Sequence, residues 1–323
     1  MPDRILIVKL SSLGDLFHAL PAVHVLKASW GVSVDWLTQP EYAELVGYFD
    51  DVDEVLTFPR RNFLGSLGSF RRKVRAKRYD YVFDMQGLLK SAVAARLANA
   101  DRCIGPSFNR EGSRAFYHAV AGPADRYRHA VDQIFDVVKY FDLAGEKTFP
   151  VSWPKVTLPE APHRIGLAPC SRWPAKNWPV ERFAELANHI GASHPATFYL
   201  LGGPSDVEAG QQLAQAIQHP VDDRCGKTSL PELGGLIREL DLVVTNDSGP
   251  MHIASTTDTP VLAFFGPTDP VLTGPYGDHH QVIRPPGLPS GHGAYKSDDT
   301  SLIERITVDE AYASALGILN RTS

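Results

Sequence analysis

A carboxylate follows the first strand-like run of the chain at a spacing suited to a catalytic base. The turn Ser11 to Asp15 separates the apolar run Arg4 to Leu10 from a segment with helical periodicity. Asp15 is therefore predicted at the carboxyl edge of a parallel sheet, where open α/β folds bind ligands. A carboxylate beside a helix N-terminus stays ionised and can take a proton from a hydroxyl group. The same spacing fits a helix cap, so base and cap stand as equal alternatives.

Two later turns have the composition of anion-binding sites. The loop Ser171 to Pro179 lies between a predicted strand and helix, and Lys176 there would offer a diphosphate a positive charge beside a helix N-terminus. The turn Thr245 to His252 repeats the order strand, tight turn, helix. In it Ser248 can cap the helix, and Gly249 lets the backbone approach a phosphate closely. Taken alone, Lys176 could be an ordinary solvated lysine, and the second turn could be the start of an ordinary capped helix. The presence of two such turns in the same half of the chain favours a diphosphate site.

The segment Arg60 to Tyr79 is rich in basic residues and contains no acidic residue, in a chain whose net charge is -5. Such a segment is either a solvated face or a surface for an anionic partner, and these two alternatives stand equal. Nucleic acid ranks third as a partner because few aromatic residues are interleaved. The basic residues are Arg60, Arg61, Arg71, Arg72, Lys73, Arg75, Lys77 and Arg78.

Signatures of cofactor and metal sites are missing or incomplete. No G-x-G-x-x-G follows the first predicted strand, and Gly226-Lys227-Thr228 lacks the earlier glycine of a P-loop. The segment Asp51 to Asp53 has the D-x-D spacing by which some sugar transferases hold a divalent metal, but such triplets are common in turns. His279, His280 and His292 have no carboxylate at ligand spacing and are predicted to be solvated. We therefore expect neither a metal nor a cofactor.

Length and composition predict a globular chain of two domains. The 323 residues are 43% hydrophobic and 21% charged, and domains average about 150 residues. Cys103, Cys170 and Cys225 are an odd number far apart, which argues against a disulfide framework or a zinc cluster and favours a reducing compartment. No apolar run approaches the ~18 residues of a membrane span, so any membrane contact is expected to be peripheral.

Strand-like runs alternate with helical runs in both halves of the chain, as is typical of parallel βαβ units. The proline-rich segment Ser152 to His163 separates the halves. We predict an α/β fold of two domains, residues 1–155 and 164–306. The main predicted strands are Arg4 to Leu10, Val32 to Leu37, Tyr81 to Asp84, Arg164 to Ala168, Thr197 to Leu201, Asp241 to Thr245 and Pro260 to Phe264.

Six motifs of the chain resemble those of the lipopolysaccharide heptosyltransferases (glycosyltransferase family 9), most of all the heptosyltransferase I type. The resemblance implies a GT-B architecture, with two Rossmann-like domains facing a central cleft and the C-terminal helix, residues 307–323, packing back on the first domain. It also implies inverting transfer of heptose from ADP-L-glycero-D-manno-heptose to the Kdo or heptose of the lipopolysaccharide inner core, without a required metal. The motifs are Ile5 to Ala22, Asp84 to Ala92, Arg110 to Tyr117, His129 to Asp132, Lys176 to Pro179 and Asp247 to His252.

Carried over motif by motif, the resemblance implies a role for individual side chains. Asp15 would be the general base, one set of residues would hold the donor diphosphate, and another would contact the acceptor. The partners would be ADP-heptose and an anionic, lipid-linked Kdo acceptor, with no nucleic acid. The enzyme would be cytoplasmic, with peripheral contact at the inner face of the cytoplasmic membrane. The donor set is Ser171, Lys176, Asp247, Ser248, Gly249 and His252, and the acceptor set is Ser12, Gly14, Arg60, Arg61, Lys90 and Arg110.

The chain departs from the heptosyltransferase I pattern at two places on the donor side. The loop Cys170 to Ala175 differs from the Thr-Thr-Arg-Asp-Asp type, and Ser205 stands where that type has a ribose-binding Glu. Asp206 and Glu208 are the candidate substitutes. Three alternatives remain open: a transferase of another nucleotide sugar or acceptor, a sugar-nucleotide epimerase of the same architecture, and a silent nucleotide-sugar-binding protein. An epimerase would turn over donor without acceptor, and the basic segment favours a transferase.

Overall fold

A computed structural model describes residues 1–59, 63–291 and 298–322. The chain divides into two compact units, Met1–Ser152 and Trp153–Ser323, each built on one sheet of six strands. The α/β class predicted from the sequence is confirmed. Within the described ranges, no helix combines the length and the apolar character that a bilayer crossing requires.

The first unit is a parallel sheet whose strands are connected mainly by helices. Its strands are β1 (Arg4–Val8), β2 (Ser33–Thr38), β3 (Glu54–Thr57), β4 (Arg78–Asp84), β5 (Asn99–Pro106) and β6 (Ala119–Ala121). Its helices are α1 (Leu13–Trp30), α2 (Ala43–Val46), α3 (Phe63–Val74), α4 (Leu89–Leu97) and α5 (Ala130–Tyr140). The strand order is β3-β2-β1-β4-β5-β6. The winding direction therefore reverses between β1 and β4, the switch point at which such sheets bind ligands.

The second unit repeats this topology. Its strands are β7 (Arg164–Ala168), β8 (Thr197–Leu200), β9 (Val221–Asp223), β10 (Leu242–Asn246), β11 (Val261–Phe264) and β12 (Gln281–Ile283). Its helices are α6 (Val180–Ser193), α7 (Val207–Ala216), α8 (Leu230–Ile237), α9 (Gly249–Ala254), α10 (Pro270–Thr273) and α11 (Val308–Thr322). The order β12-β11-β10-β7-β8-β9 places the switch point between β7 and β10.

Buried apolar runs place β1 and β10 at the centres of their sheets. All side chains from Ile5 to Val8 and throughout β10 are buried, as expected for strands covered by helices on both faces. Helix α1 begins directly after its N-cap Ser12 and ends at Gly31, whose φ of 62° lies in the left-handed region. The N–H of Gly31 donates to the carbonyl of Lys27 at 2.8 Å. These boundaries fix the turn that carries Asp15.

Helix α11 packs within the second unit. Its buried residues belong to the same core as the apolar side chains of α6, β10 and β11. This differs from the expectation that residues 307–323 pack on the first domain, because the apolar stripe of the helix covers the sheet of its own unit. The residues of that stripe are Val308, Ala311, Ala315, Ile318 and Leu319.

From Trp153 onward, the proline-rich segment between the two halves is also part of the second unit. Trp153 and Leu158 are buried. On α8, Gly234 lies against the Trp153 ring and Gly235 against the carbonyl of Pro154, so closely that a Cβ atom at either glycine would overlap its neighbour. The two glycines therefore let this segment dock on α8 at the start of the second unit.

Candidate active site

Asp15 lies in the first turn of α1, directly after the turn that leaves β1. Its Oδ2 accepts hydrogen bonds from Ser12, from the backbone N–H at 2.8 Å and from Oγ at 3.1 Å. Asp15 thus has the helix-capping contact that the sequence allowed. Only one carboxylate oxygen is used in this way, so capping and catalysis are compatible in the same side chain. Gly14 is buried in the same turn.

The second oxygen of Asp15 faces two basic side chains. Its Oδ1 lies 4.0 Å from Lys9 Nζ and 3.8 Å from His18 Nδ1. Burial raises the pKa of Asp15, but the Lys9 charge and the contacts with His18 and Ser12 outweigh burial, so this pKa lies below its ordinary value. Asp15 is therefore ionised at neutral pH. Its side chain remains 37% exposed, so a substrate hydroxyl can reach it.

Lys9 is a candidate functional residue that the sequence analysis did not single out. It follows β1, is only 2% exposed, and donates from Nζ to the carbonyl of Met85 at 2.7 Å. Its Nζ also lies 5.9 Å from the centre of the Phe108 ring. Burial lowers the pKa of Lys9, and the charges of Asp15 and Asp84 oppose that effect. The sequence did contain a signal, a lysine directly after four apolar residues of a central strand. A lysine buried at that position requires a partner of opposite charge, which points to a nearby carboxylate.

Buried Asp84 organises the turn after β4. Its Oδ2 accepts from the hydroxyl of Tyr117 at 2.7 Å and from Ser91 Oγ at 2.9 Å. Its Oδ1 accepts from the backbone N–H groups of Gln86 and Gly87 at 2.9 and 3.1 Å. Burial raises the pKa of Asp84, and these hydrogen bonds lower it in part. Both oxygens of Asp84 are thus committed to holding the turn.

The turns after β1 and β4 are tied to each other by one amide side chain. Gln86 Oε1 accepts from the backbone N–H groups of Leu10 and Ser11, each at 3.1 Å. The chain before Asp15 is therefore anchored to the neighbouring strand end. The two turns form one structural element at the switch point of the first sheet.

Lys90 and Arg110, predicted on the acceptor side, are both exposed beside this element. Lys90 lies in the first turn of α4, and the N–H of Arg110 donates to the carbonyl of Gly87 at 2.8 Å. Gly87 has φ 73°, and a Cβ atom there would lie 2.9 Å from Pro106, so glycine permits this contact. The Arg110 charge also lowers the pKa of Lys9, which places Arg110 near the Lys9–Asp15 pair.

The basic segment divides into paired and exposed residues. Arg60 and Arg61 lie outside the described residues. Lys77 pairs with buried Asp35 at 3.0 Å and with Glu54, so it supports the sheet rather than a ligand. Arg78 pairs with Asp101 at 2.9 Å. Exposed basic side chains at the C-terminal end of α3 and just beyond it are Arg71, Arg72, Lys73 and Arg75.

In the second unit, the ammonium group of Lys176 is held by a carboxylate. Its Nζ donates to Asp247 Oδ2 at 2.6 Å and lies 5.6 Å from the centre of the Trp173 ring. The same Asp247 oxygen accepts from Thr268 Oγ1 at 2.8 Å. An ionised carboxylate accepts hydrogen bonds only. Asp247 therefore cannot donate to an anion itself, and it contributes by holding the ammonium group of Lys176 at the end of β10.

The loop after β7 is fixed by bonds between side chains and backbone. The N–H of Ser171 donates to Asn177 Oδ1 at 2.8 Å, and Ser171 Oγ donates to the carbonyl of Trp173 at 2.8 Å. Asn246 Nδ2 donates to the carbonyl of Pro169 at 2.6 Å. Asn246 belongs to β10, so the ends of β7 and β10 are tied together as those of β1 and β4 are.

Ser248 is the N-cap residue of α9, but its side chain does not provide the cap that its type allows. Its side chain makes no capping hydrogen bond, because Oγ lies 3.0 Å from the hydroxyl of Thr245 and is engaged there. Gly249 still begins the helix, and His252 lies partly buried one turn along. Ser248, Gly249 and His252 therefore share the turn that follows Asp247.

Asp206 and Glu208, the candidate substitutes for a ribose-binding Glu, differ in their contacts. Asp206 Oδ2 accepts from the N–H of Gly203 at 2.7 Å, and Oδ1 accepts from Ser205 Oγ at 3.0 Å. Asp206 therefore holds the turn after β8. Glu208 is exposed on α7, so a ligand hydroxyl can reach its carboxylate without displacing a local hydrogen bond.

The D-x-D segment has a structural explanation. Asp51 Oδ2 lies 2.9 Å from His24 Nδ1. Asp53 accepts from the N–H of Val34 at 2.7 Å and from Lys27 Nζ at 3.1 Å. Both carboxylates thus connect α1 and β2 to the start of β3.

Two of the three histidines predicted to be solvated lie in described residues, and they differ. His279 is exposed, as predicted, but His280 is partly buried and its ring nitrogens are shielded from solvent. Burial and the adjacent His279 lower the pKa of His280 to about 3. The prediction fails for His280 because its own ring nitrogens are buried, although the three residues before it are exposed. His292 lies outside the described residues.

The sites predicted from sequence thus coincide with the switch points of the two sheets. Asp15 follows β1 and Gln86 follows β4, while Lys176 follows β7 and Asp247 follows β10. The first position presents a carboxylate with one oxygen available as a proton acceptor. The second presents a held ammonium group beside a helix start, a combination suited to an anion.

Comparison with known proteins gives the family. Residues 67–296 match glycosyltransferase family 9 (heptosyltransferase). Lipopolysaccharide heptosyltransferase 1 of Pseudomonas aeruginosa is 30% identical over 85% of this chain and 81% of its own length. The namesake from Escherichia coli O18:K1:H7 is 28% identical over 88% and 92%. The solved structure of E. coli heptosyltransferase WaaC with ADP superposes with a TM-score of 0.80 at 25% identity, covering 99% of this chain and all of that one. The chain has the GT-B fold and belongs to glycosyltransferase family 9, the heptosyltransferases.

Proposed function

We propose that this glycosyltransferase moves a heptose from ADP-L-glycero-D-manno-heptose to a Kdo or heptose residue of the lipopolysaccharide inner core, with inversion at the anomeric carbon. The observation that carries the proposal is the pair of switch-point sites, an ionised Asp15 with one available oxygen and the Lys176–Asp247 ion pair. Family membership and relatives that bear this activity in their names support the same assignment.

The proposed reaction is a single displacement. An acceptor hydroxyl oxygen attacks the anomeric carbon as the bond from that carbon to the diphosphate oxygen breaks. Asp15 Oδ1 takes the hydroxyl proton, and ADP leaves with the bonding electron pair. Attack from the face opposite the leaving group inverts the anomeric centre. Asp15 is suited to the role because its other oxygen is fixed by Ser12.

Lys176 supplies the charge that offsets the departing diphosphate, in place of a metal ion. Its ammonium group is held by Asp247, so it needs little reorganisation when ADP leaves. Ser248 and Gly249 add backbone N–H groups near the same strand ends, with His252 one turn further along α9. Ser171 bonds within its own loop and thereby holds the loop that carries Lys176. This arrangement predicts transfer that proceeds in excess EDTA.

The acceptor is proposed to be an anionic, lipid-linked Kdo saccharide. Ser12 and Gly14 share the turn with Asp15, while Lys90 and Arg110 supply positive charge beside it. In the sequence, Arg60 and Arg61 shortly precede α3, whose C-terminal end carries exposed basic residues. The same charges suit peripheral contact with the inner face of the cytoplasmic membrane, where such a lipid resides.

The direct test is transfer between defined substrates. Purified enzyme, ADP-heptose and a Kdo-containing lipid acceptor should yield an acceptor heavier by one heptose in mass spectrometry, with inverted anomeric configuration by NMR. EDTA should leave the rate unchanged. Conversion of donor into an isomer in the absence of acceptor would instead assign an epimerase. Binding of the nucleotide sugar with neither product would leave a silent binding protein.

A further inference from the structure

A buried ammonium group lies beside the proposed base, and its surroundings restrict what it can do. Lys9 is 2% exposed, and its Nζ bonds to a neutral carbonyl group, that of Met85 at 2.7 Å. A carbonyl oxygen does not neutralise a buried charge. The nearby carboxylates that lower the cost of this burial are Asp15 and Asp84.

The two carboxylates are not equally available to Lys9. Asp84 accepts hydrogen bonds at both oxygens, from the hydroxyls of Tyr117 and Ser91 and from two backbone N–H groups. Asp15 has its Oδ2 bonded to Ser12, while its Oδ1 lies 4.0 Å from Lys9 Nζ. Lys9 therefore acts mainly on the oxygen that the proposed function assigns to proton transfer.

An anionic acceptor changes the charge balance at this site. A negative group that docks near Asp15 favours the protonated form of that carboxyl, and a protonated Asp15 cannot serve as a base. We propose that Lys9 is a positioning residue for Asp15, whose buried charge holds the carboxylate in its ionised form when an anionic acceptor binds. This inference rests on the proposed function and deepens it, because it explains how a carboxylate base tolerates a negatively charged substrate.

Other ionisable groups also face this pair. His18 lies on α1 with Nδ1 3.8 Å from Asp15 Oδ1, and its ring contacts that of His129 at the start of α5 with centres 5.5 Å apart. Asp84 lies at the end of β4, and Arg110 in the loop after β5. Lys9 differs from these in combining a buried ammonium group with a position at the turn that carries Asp15.

The test measures kcat at saturating donor and acceptor as a function of pH, because kcat reports the pKa values of the enzyme–substrate complex. Two acceptors are compared, a Kdo saccharide with its carboxylate and the corresponding neutral methyl ester. In the wild type, the acid limb should lie at the same pH for both acceptors within about 0.3 unit. In Lys9→Met, the acid limb for the anionic acceptor should move up by about 1 to 2 pH units, the effect of losing an opposite charge at this distance. The limb for the ester should move less.

Matched variants separate a specific effect from a structural one. Lys9→Arg keeps the charge and should keep the acid limb near its wild-type position. Lys77→Met removes a lysine that pairs with buried Asp35 in the same unit, and it should change stability without moving the limb. Should Lys9→Met fail to fold, Lys9→Gln and the wild-type comparison of the two acceptors still decide the question.

Three results would overturn the inference. The first is a wild-type acid limb that differs by one pH unit or more between the two acceptors. The second is a loss of rate in Lys9→Met that is equal at every pH. The third is a pH profile of Lys9→Met that is the same as that of the wild type. The proposed function fails separately, when the wild type transfers no heptose to either acceptor. Wild-type transfer that is abolished in Asp15→Asn, together with an unchanged Lys9→Met profile, removes only the role of Lys9.

Discussion

At the scale of single residues, the two oxygens of Asp15 have different tasks, and Asp15→Asn separates them. Asparagine still accepts the Ser12 hydrogen bond but cannot accept a proton. We expect turnover to fall by about 10² to 10⁴, while the melting temperature stays within a few degrees and ADP binds as before. Steady-state kinetics, calorimetric ADP binding and thermal denaturation measure the three quantities.

Asp15→Ala is the matched control for this prediction. It removes the cap as well as the base, so it should lose about 0.5 to 2 kcal/mol of stability in addition to activity. Near-normal turnover in Asp15→Asn with a verified acceptor would leave Asp15 as a helix cap only.

The second residue prediction concerns Lys176. Removal of its charge by Lys176→Met should raise the Kd for ADP by about 10- to 100-fold, which corresponds to the loss of one charge-assisted hydrogen bond of about 1.5 to 3 kcal/mol. Lys227→Met is the control, because Lys227 is 60% exposed and pairs with Asp223 elsewhere in the same unit. Isothermal calorimetry with ADP is the measurement. Equal affinities in Lys176→Met and wild type would move the diphosphate away from this loop.

The position of a functional side chain could be predicted from sequence where a chemically suitable residue follows a recognisable central strand. Asp15 and Lys176 satisfy both conditions, since each follows a buried central strand. Lys9 was missed because a lysine after an apolar run resembles an ordinary strand terminus, and only its three-dimensional surroundings show that it is buried. The engagement of Ser248 by Thr245 depends on a side-chain rotamer, which the spacing of residues does not determine.

At the scale of elements, the turn before β12 contains a pH-sensitive group. His280 has a folded-state pKa of about 3, against about 6.5 when unfolded. The unfolded chain therefore binds the proton more tightly, so stability is complete above pH 6.5 and is lost as the pH falls. We expect a loss of about 2 kcal/mol between pH 7 and 5 from this group. Urea unfolding of wild type and His280→Gln at both pH values should show this component only in the wild type.

Exposed His279 supplies the control for the same turn. His279→Gln should retain most of the pH-dependent component, because burial is the larger cause of the low His280 pKa. Identical pH dependence in wild type and His280→Gln would show that His280 is not protonated on unfolding.

Strands at the sheet centres were predictable and several edge strands were not. The predicted runs at β1, β4, β7 and β10 overlap the observed strands because buried parallel strands are continuously apolar. β6, β9 and β12 have three residues each, too few for a periodic pattern. β5 lies inside the sheet, between β4 and β6, but it begins with exposed polar residues. These strands form because a neighbouring strand offers hydrogen bonds, which is a property of the sheet and not of the segment.

At the scale of the whole molecule, the second unit has a core of its own that includes α11. A fragment of residues 153–323 should therefore unfold cooperatively on heating and bind ADP. A fragment of residues 164–306, the domain predicted from sequence, lacks the five buried residues of α11 as well as Trp153. Loss of one large buried side chain costs about 2 to 5 kcal/mol, and a domain has about 5 to 15 kcal/mol in total. We expect the shorter fragment to show no cooperative transition by circular dichroism. Equal melting of both fragments would contradict this assignment of α11.

The repeated strand order also bears on how new specificities arise in such a chain. Each unit has its own switch point, formed by the turns after its first and fourth strands. Under the proposed function, the residues assigned to the acceptor lie before Ser152 and those assigned to the donor lie after it. Recombination between family members at that position would exchange one complete sheet and leave the hydrogen-bond ladder of the other intact. With that assignment, a new pairing of donor and acceptor would arise in one genetic step, without gradual rebuilding of either core.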